Sequence, residues 1–466
     1  MQKIIIKNFG PIRELEFNLN KFQIFFGPQA SGKSTLSKSV YYFKSIRDEI
    51  YEYIANHLQT DRDRVLSYNN IIYKLNTRFR SLFGFNYLQG NFFMEFNYRD
   101  EYFLKLKRVN NRDINFNFSK PFSSDLNRII SLVNSYKEQL SKEKRKRESL
   151  RSILGVHHRS FLNKIKYMLN DTFGDDREVL YIPAGRSLIS TLSNKLFLLF
   201  QISEHDRNVD SLIREFSEKI MDTRDYFDRD INELIYEKEG STDDVDYKRK
   251  YFMFVEILRN ILGGDYRFIE GKDRFYINQR NYIPLNFASS GQQESVWILY
   301  LMIYYYLENK DCFIVIEEPE AHLFPKAQRD MLMAISLFVN NKNNQCIITT
   351  HSPYLVSSMN NLLYSQHINK MYGRSDLAID QEFWIDPQSV VALFLSKGSV
   401  ENMMDDETML LTSKYIDTVS ELNSDEFEAM YRIEMEEGNT VNFDFDNEES
   451  ELINWFMSEG QQDDDK

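Results

Sequence analysis

At 466 residues the chain has room for roughly three domains of ~150 residues, and its 42% hydrophobic and 14% aromatic content excludes disorder throughout. Two cysteines, Cys312 and Cys346, and an opening MQKIIIKNFG with no long apolar stretch or small-residue cleavage site point to a reduced, cytoplasmic protein rather than a secreted one. The net charge of −13 is uneven: residues 401–466 hold 21 acidic against three basic side chains, a local −18, which leaves +5 for residues 1–400. A mildly basic body with an acidic tail can touch nucleic acid locally or dock a basic partner.

In chain order, three short alternating bursts, KIIIKNF, ELEFNL and QIFF, are separated by a Gly10-Pro11 turn and an Asn-rich turn. They predict an antiparallel opening that runs into a glycine loop. Helical spacing follows over 34–66. The segments FFMEFNY, YFLKLKRV and INFNF then read as a β-meander, and 123–170 as a short helical arm with apolar residues at Ile130, Val133, Tyr136 and Leu140. A strand EVLYIPAG opens a mixed helical region that lasts to about Gly263, and YRFIEG with RFYIN forms a hairpin. The run Ser295–Leu307 spans thirteen apolar or aromatic-rich positions, short of the ~20 a membrane span needs, and reads as a buried helix. CFIVIEE, a helix from about Pro325 to Val339, and QCIITTHS alternate as βαβ units of a parallel sheet do. The expected division is 1–120, 121–264 as a helical insertion, 265–365, and an acidic extension over 366–466.

Gly27-Pro28-Gln29-Ala30-Ser31-Gly32-Lys33-Ser34 fits GxxxxGK[ST] between an apolar strand and a helix, and Thr35 follows it. Glycines let backbone N–H groups curl around a polyphosphate, the lysine reaches the β and γ phosphates, and the hydroxyl binds Mg²⁺. ATP and Mg²⁺ are therefore the expected cofactors, with Lys33 on phosphate and Ser34 on the metal. The strand Phe313–Ile316 ends in Glu317 and Glu318. Side chains alternate on an extended chain, so Glu317 is expected on the metal side and Glu318 on the water that attacks the γ phosphate. Ser289, Ser290, Gly291 and Gln292 run into a long helix whose N-terminus can receive an anion, and His351 closes a further apolar strand.

With these four motifs in this order the chain resembles ABC-type ATPases of the SMC, RecF and OLD branch, over about 1–120 and 265–365. The resemblance implies an α/β head with a mixed, largely parallel sheet, helices and an antiparallel β-subdomain. It implies a head-to-tail homodimer, or a higher homo-oligomer, in which Ser289 and Gly291 of one copy cap ATP held by Lys33 of the other. SSGQQ is similar to the family's signature segment, Ala288 and Ser290 standing for its Leu and first Gly. Glu317 matches the metal-site acid, though the family more often has Asp there, Glu318 the catalytic carboxylate, and His351 the switch histidine. Gly10 stands where many relatives carry a basic residue, and Gln89 is one candidate for the Q-loop glutamine.

The segments WIDPQSVVALFL, MMDDETMLL and ELNSDEFEAMYRI resemble the ending of AbiEii-like ATPases of bacterial defence, such as the ATPase subunits of Septu and PARIS. That resemblance implies a regulator of a separate effector, a nuclease, in anti-phage defence, with no membrane partner. Three alternatives stay open: a RecF-like DNA clamp, an OLD-like nuclease using Asp444 and Asp446, and a transporter subunit. A basic cluster, Lys142, Lys144, Arg145, Lys146, Arg147 and Arg151, is the candidate DNA contact of the arm.

Overall fold

Parallel strands buried on both faces read as continuous apolar runs, and three such runs lie at the centre of the fold. β3 (Phe22–Phe26), β11 (Cys312–Glu317) and β12 (Gln345–Thr350) are buried almost along their whole length. They belong to a six-stranded sheet in the order β14-β13-β3-β12-β11-β7, where β7 is Glu178–Ile182, β13 Val390–Ser396 and β14 Ser399–Asn402. All neighbours pair parallel except β14, which turns back antiparallel on β13.

The computed structural model describes residues 2–60, 65–84, 90–108, 113–144, 151–191, 210–239, 245–412, 424–430 and 432. A second, antiparallel sheet has the order β2-β1-β4-β5-β6. Its strands are β1 (Lys3–Phe9), β2 (Ile12–Asn18), β4 (Phe93–Arg99), β5 (Tyr102–Arg108) and β6 (Ile114–Phe118), so the opening hairpin and the meander form one layer. The helix Lys33–Gln59 is buried on most of its circumference, and its Val40, Phe43 and Ile46 share one core with Phe96 of β4 and Val315 of β11. A helix apolar on more than one stripe must be covered on both sides, which is what two sheets provide. The hairpin β8 (Asp265–Ile269) and β9 (Lys272–Tyr276), with β10 (Tyr282–Pro284), makes a small third sheet.

The arm consists of the helices Lys120–Lys144 and Arg151–Phe173. Phe122 packs edge-on against Phe173 at 4.9 Å near the core, and Tyr136 stacks on Phe161 at 3.8 Å farther out, so the two run as an antiparallel pair. The side chains of the basic cluster lie outside the described residues. The helix Ser290–Leu307 is buried all round, as a uniformly apolar helix in a protein core must be, and the expected βαβ order around Pro325–Asn340 is present.

Two segments sit elsewhere than the expected division placed them. β7 comes from the stretch read as the helical insertion, yet it is the edge strand beside β11. β13 comes from the stretch read as the acidic extension, yet it lies directly against β3. Residues 1–412 form one compact unit and 413–466 a second, in which 424–430 is helical. A helix over Tyr68–Phe83 also interrupts the passage from the first long helix to the meander; Ser67 and Asn70 close its N-terminus with reciprocal hydrogen bonds. Among the described residues no helix is long and apolar enough to cross a membrane.

Candidate nucleotide site

Strand register fixes where the functional side chains emerge. Phe26 lies opposite Thr350, Thr349 opposite Glu317, and Ile316 opposite Ile182. The glycine loop, His351, Glu317 with Glu318, and the turn Pro183–Arg186 therefore all leave the sheet at its carboxyl edge, where parallel sheets bind ligands.

The loop needs its glycines. Gly27 has φ +148, and a Cβ there would lie 2.2 Å from the Leu395 carbonyl oxygen of β13. Gly32 has φ +106, and its Cβ would lie 2.8 Å from Cγ of Pro11, the residue that turns β1 into β2. Pro28, Gln29 and Ala30 are exposed, Ser31, Gly32, Lys33 and Thr35 are buried, and Ser34 is exposed at the start of the helix. No side chain caps that helix N-terminus, which leaves its first N–H groups and the positive end of its dipole for an anion.

Lys33, 6% exposed, donates from Nζ to the carbonyls of Gly27 and Pro28, both at 2.9 Å, so backbone oxygens hold its ammonium inside the loop. Burial pulls its pKa down to about 8, although Glu318, Glu320 and Glu317 act in the opposite direction. Nζ also lies 3.4 Å from His351 Nδ1, and His351 Nε2 lies 3.5 Å from a carboxylate oxygen of Glu318. An ammonium only donates, so Nδ1 accepts and the neutral ring carries its proton on Nε2, facing Glu318. Burial, and then Lys33, lower the His351 pKa, which keeps the ring neutral.

The two adjacent acids differ in exposure because β11 ends at Glu317 and the chain turns at Glu318. Glu317 is 7% exposed; its Oε2 accepts from the Ala184 N–H at 3.3 Å while its Oε1 has no partner. Glu318 is 41% exposed at its side chain and has φ +44, a left-handed conformation that a non-glycine residue adopts at a cost of about 1–3 kcal/mol. Ser31 Oγ is likewise buried and without a partner. Orphaned buried oxygens at Ser31 and Glu317, beside a buried ammonium and an uncapped helix, fit a polyphosphate with its divalent cation.

Among the described residues no hydrogen bond joins Ser289–Gln292 to this loop. Ser289 and Ser290 are exposed, and Gly291 packs so close that a Cβ would be 2.8 Å from the His322 carbonyl oxygen. Gln292 is engaged inside its own subunit: Oε1 accepts from the Ser289 N–H at 2.9 Å and Nε2 donates to the Leu262 carbonyl at 2.7 Å. Ser289 Oγ in turn accepts from the Gln292 N–H at 3.4 Å, so the two side chains close a capping box at a helix start whose two serines remain exposed.

Sequence reasoning passed over two residues. Glu320 accepts at Oε1 from Thr350 Oγ1 at 2.6 Å and from the His351 N–H at 2.9 Å, so it fixes the segment that presents the histidine. Arg186 is fully buried and binds the carbonyls of both Glu317 and Glu318. Glu320 stands inside the EEPE segment already singled out, and Arg186 ends the turn after β7; in each case the only signal is a charged residue three or four positions past a buried strand end. Gln89, Asp444 and Asp446 lie outside the described residues.

Among solved structures the chain is similar to the SMC head domain from Thermotoga maritima, at 11% identity and TM-score 0.34 over 86% of this chain and 97% of that one. It is also similar to an Smc head domain with an extended coiled coil bound to the C-terminal domain of ScpA, derived from Pyrococcus furiosus, at 13% identity and TM-score 0.36 over 91% and 100%. A third similar structure is the recombination mediator protein RecF-ATPrS of the RecFOR pathway, at 11% identity and TM-score 0.32 over 86% and 97%. No curated protein matches the chain. The family described as AAA ATPase domain matches residues 81–356, a span that takes in Arg186, the Ser289 segment, both acids and His351. Covering well over half of the 466 residues, that match shows that the chain belongs to the AAA ATPase domain family.

Proposed function

We propose that the chain is a cytoplasmic ATPase of ABC type in which two copies close head to tail on ATP, and that this closure controls a partner effector in anti-phage defence. The observation that carries the ATPase reading is the contact series Lys33–His351–Glu318 at the carboxyl edge of the sheet. It joins a phosphate-binding cation to an exposed carboxylate through a neutral imidazole. Ser34 and Glu317 are the residues that would hold Mg²⁺, which when bound neutralises phosphate charge. Glu318 accepts a proton from water, and His351 orients Glu318 and reports on the phosphate next to Lys33.

Support for the head-to-tail pair comes from the exposed Ser289 and Ser290, which have no hydrogen bond to the glycine loop of their own subunit, and from Phe287 and Phe324, 73% and 76% exposed. Phe324 follows the His322–Leu323 segment that touches Gly291, so both rings flank the outward-facing helix start. The defence role, with a nuclease as effector, is supported by the resemblance of segments within 384–433 to AbiEii-like endings. The acidic 401–466 supplies a surface for a basic effector. A DNA-clamp reading is favoured by the +5 of residues 1–400. Co-purification of the full chain with the product of an adjacent nuclease gene, against salt-sensitive DNA binding by the chain alone, separates the two.

A further inference from the structure

We infer that Arg186 and Glu294 are a positioning pair that ties the outward-facing start of the Ser290 helix to the backbone of Glu318, and so couples the two nucleotide sites of a closed pair. The inference rests on the head-to-tail reading above.

The Arg186 guanidinium joins three segments. Nη1 donates to the carbonyls of Pro183 at 2.8 Å and Glu317 at 2.6 Å, Nη2 to that of Glu318 at 2.9 Å, and Nε to that of Glu294 at 2.7 Å. Glu294, 2% exposed, answers with its carboxylate: Oε2 accepts from the Arg186 N–H and Oε1 from the Ser187 N–H, both at 3.0 Å, and Arg186 Nε stands 3.2 Å from Oε2. No apolar pair of equal volume could hold carbonyls from β11, from the turn after β7 and from the Ser290 helix in one plane. A buried ion pair adds little to stability against such a replacement, so the value of this one lies in what it positions.

What it positions is the strained residue. Glu318 sits at φ +44, with its N–H given to the Thr349 carbonyl at 2.9 Å and its own carbonyl held by Arg186. Both ends of that peptide are pinned, and the Arg186 end is the one that reaches the Ser290 helix. Glu294 lies about one turn beyond Ser290 on a helix buried all round, so the helix moves as a rigid body and takes the Glu294 carbonyl and carboxylate with it. In a head-to-tail pair the start of that helix meets the nucleotide held by the partner, whereas Glu318 of the same copy faces the nucleotide on its own Lys33. Loading one site therefore sets the carboxylate of the other.

The test is steady-state ATP hydrolysis by the full chain across an ATP titration, read together with equilibrium ATP binding, melting of the nucleotide-free protein, and mass with ATP. Wild type should show a Hill coefficient above unity. Glu294→Gln keeps volume but puts an N–H where one acceptor stood; kcat should fall on the order of tenfold and the Hill coefficient to unity. ATP binding should stay within about twofold and melting should hardly move. Arg186→Lys, which keeps the charge and loses the fork, should change the same two readouts in the same direction. Wild-type kcat and cooperativity in Glu294→Gln, in a protein that still associates with ATP, overturn the coupling and leave the head-to-tail reading intact. A parallel fall of kcat, ATP affinity and melting temperature also overturns it, because that is the mark of a structural pair. A wild type that stays single with ATP overturns both.

Discussion

Lys33 and His351 stand 318 residues apart in the chain and 3.4 Å apart in the fold, Nζ to Nδ1. The contact exists because β3 and β12 are adjacent and parallel in register, Phe26 beside Thr350, so that Gly27 and His351 leave the sheet at the same height and Lys33 reaches back to the Gly27 carbonyl. It makes the protonation of one group depend on the other.

Lys33 titrates near 8 because it is buried. Its folded pKa is below the ordinary 10.5 of a lysine, so burial disfavours the charged form, and the resulting strain on the nucleotide-free fold is present below about pH 8 and is relieved as pH rises toward 10.5. Bound triphosphate requires the ammonium, so ATP affinity runs the other way: it should fall about tenfold between pH 7 and 9. Lys33→Arg should flatten that dependence, since a guanidinium stays charged, and Lys33→Ala should weaken binding on the order of a hundredfold at pH 7. Fluorescence titration with ATP at a series of pH values checks all three.

Glu318→Gln keeps the side-chain volume and removes the proton acceptor. ATP binding should persist while turnover drops by about 10²-fold or more. Single-turnover hydrolysis of γ-labelled ATP measures the step, and wild-type turnover removes Glu318 from its role.

Glu320 acts through His351 and touches no reacting atom. Glu320→Ala removes the one oxygen, Oε1, that accepts from both Thr350 Oγ1 and the His351 N–H, so kcat should fall about tenfold with KM unchanged. In a His351→Ala background the same change should add almost nothing, and the double-mutant cycle reads that coupling directly.

Residues 390–402 lie in the central sheet rather than in the extension. A chain ending at Thr412 should melt cooperatively and bind ATP like the whole protein. One ending at Ser389 exposes the flank of β3 and frees the wall against which Gly27 packs, and it should lose its cooperative transition. Calorimetry on the two truncations distinguishes them.

What could be read from the sequence was whatever is local. GxxxxGK[ST] behind an apolar strand, the Glu317-Glu318 strand end and the terminal His351 each announce themselves within ten residues, and parallel-sheet burial makes their strands visible as unbroken apolar runs. Arg186 and Glu320 were missed because their roles depend on which strand ends lie side by side, a property of sheet order. VVALFLS falls within the expected 366–466 extension, and neither its composition nor its resemblance to AbiEii-like endings gives an account of the pairing with β3. The helix Tyr68–Phe83 escaped because its N-terminus is closed by Ser67 with Asn70, where the usual partner is Glu or Gln.

The claim on which the rest depends is that two copies share a triphosphate, Lys33 of one facing Ser289 and Ser290 of the other. Light-scattering mass of the Glu318→Gln chain with ATP and Mg²⁺, compared with the same sample in ADP, tests it most directly. ATP should at least double the mass, and Ser290→Arg should restore the ADP value while Lys33 still binds nucleotide. A single-chain mass at saturating ATP would contradict the account.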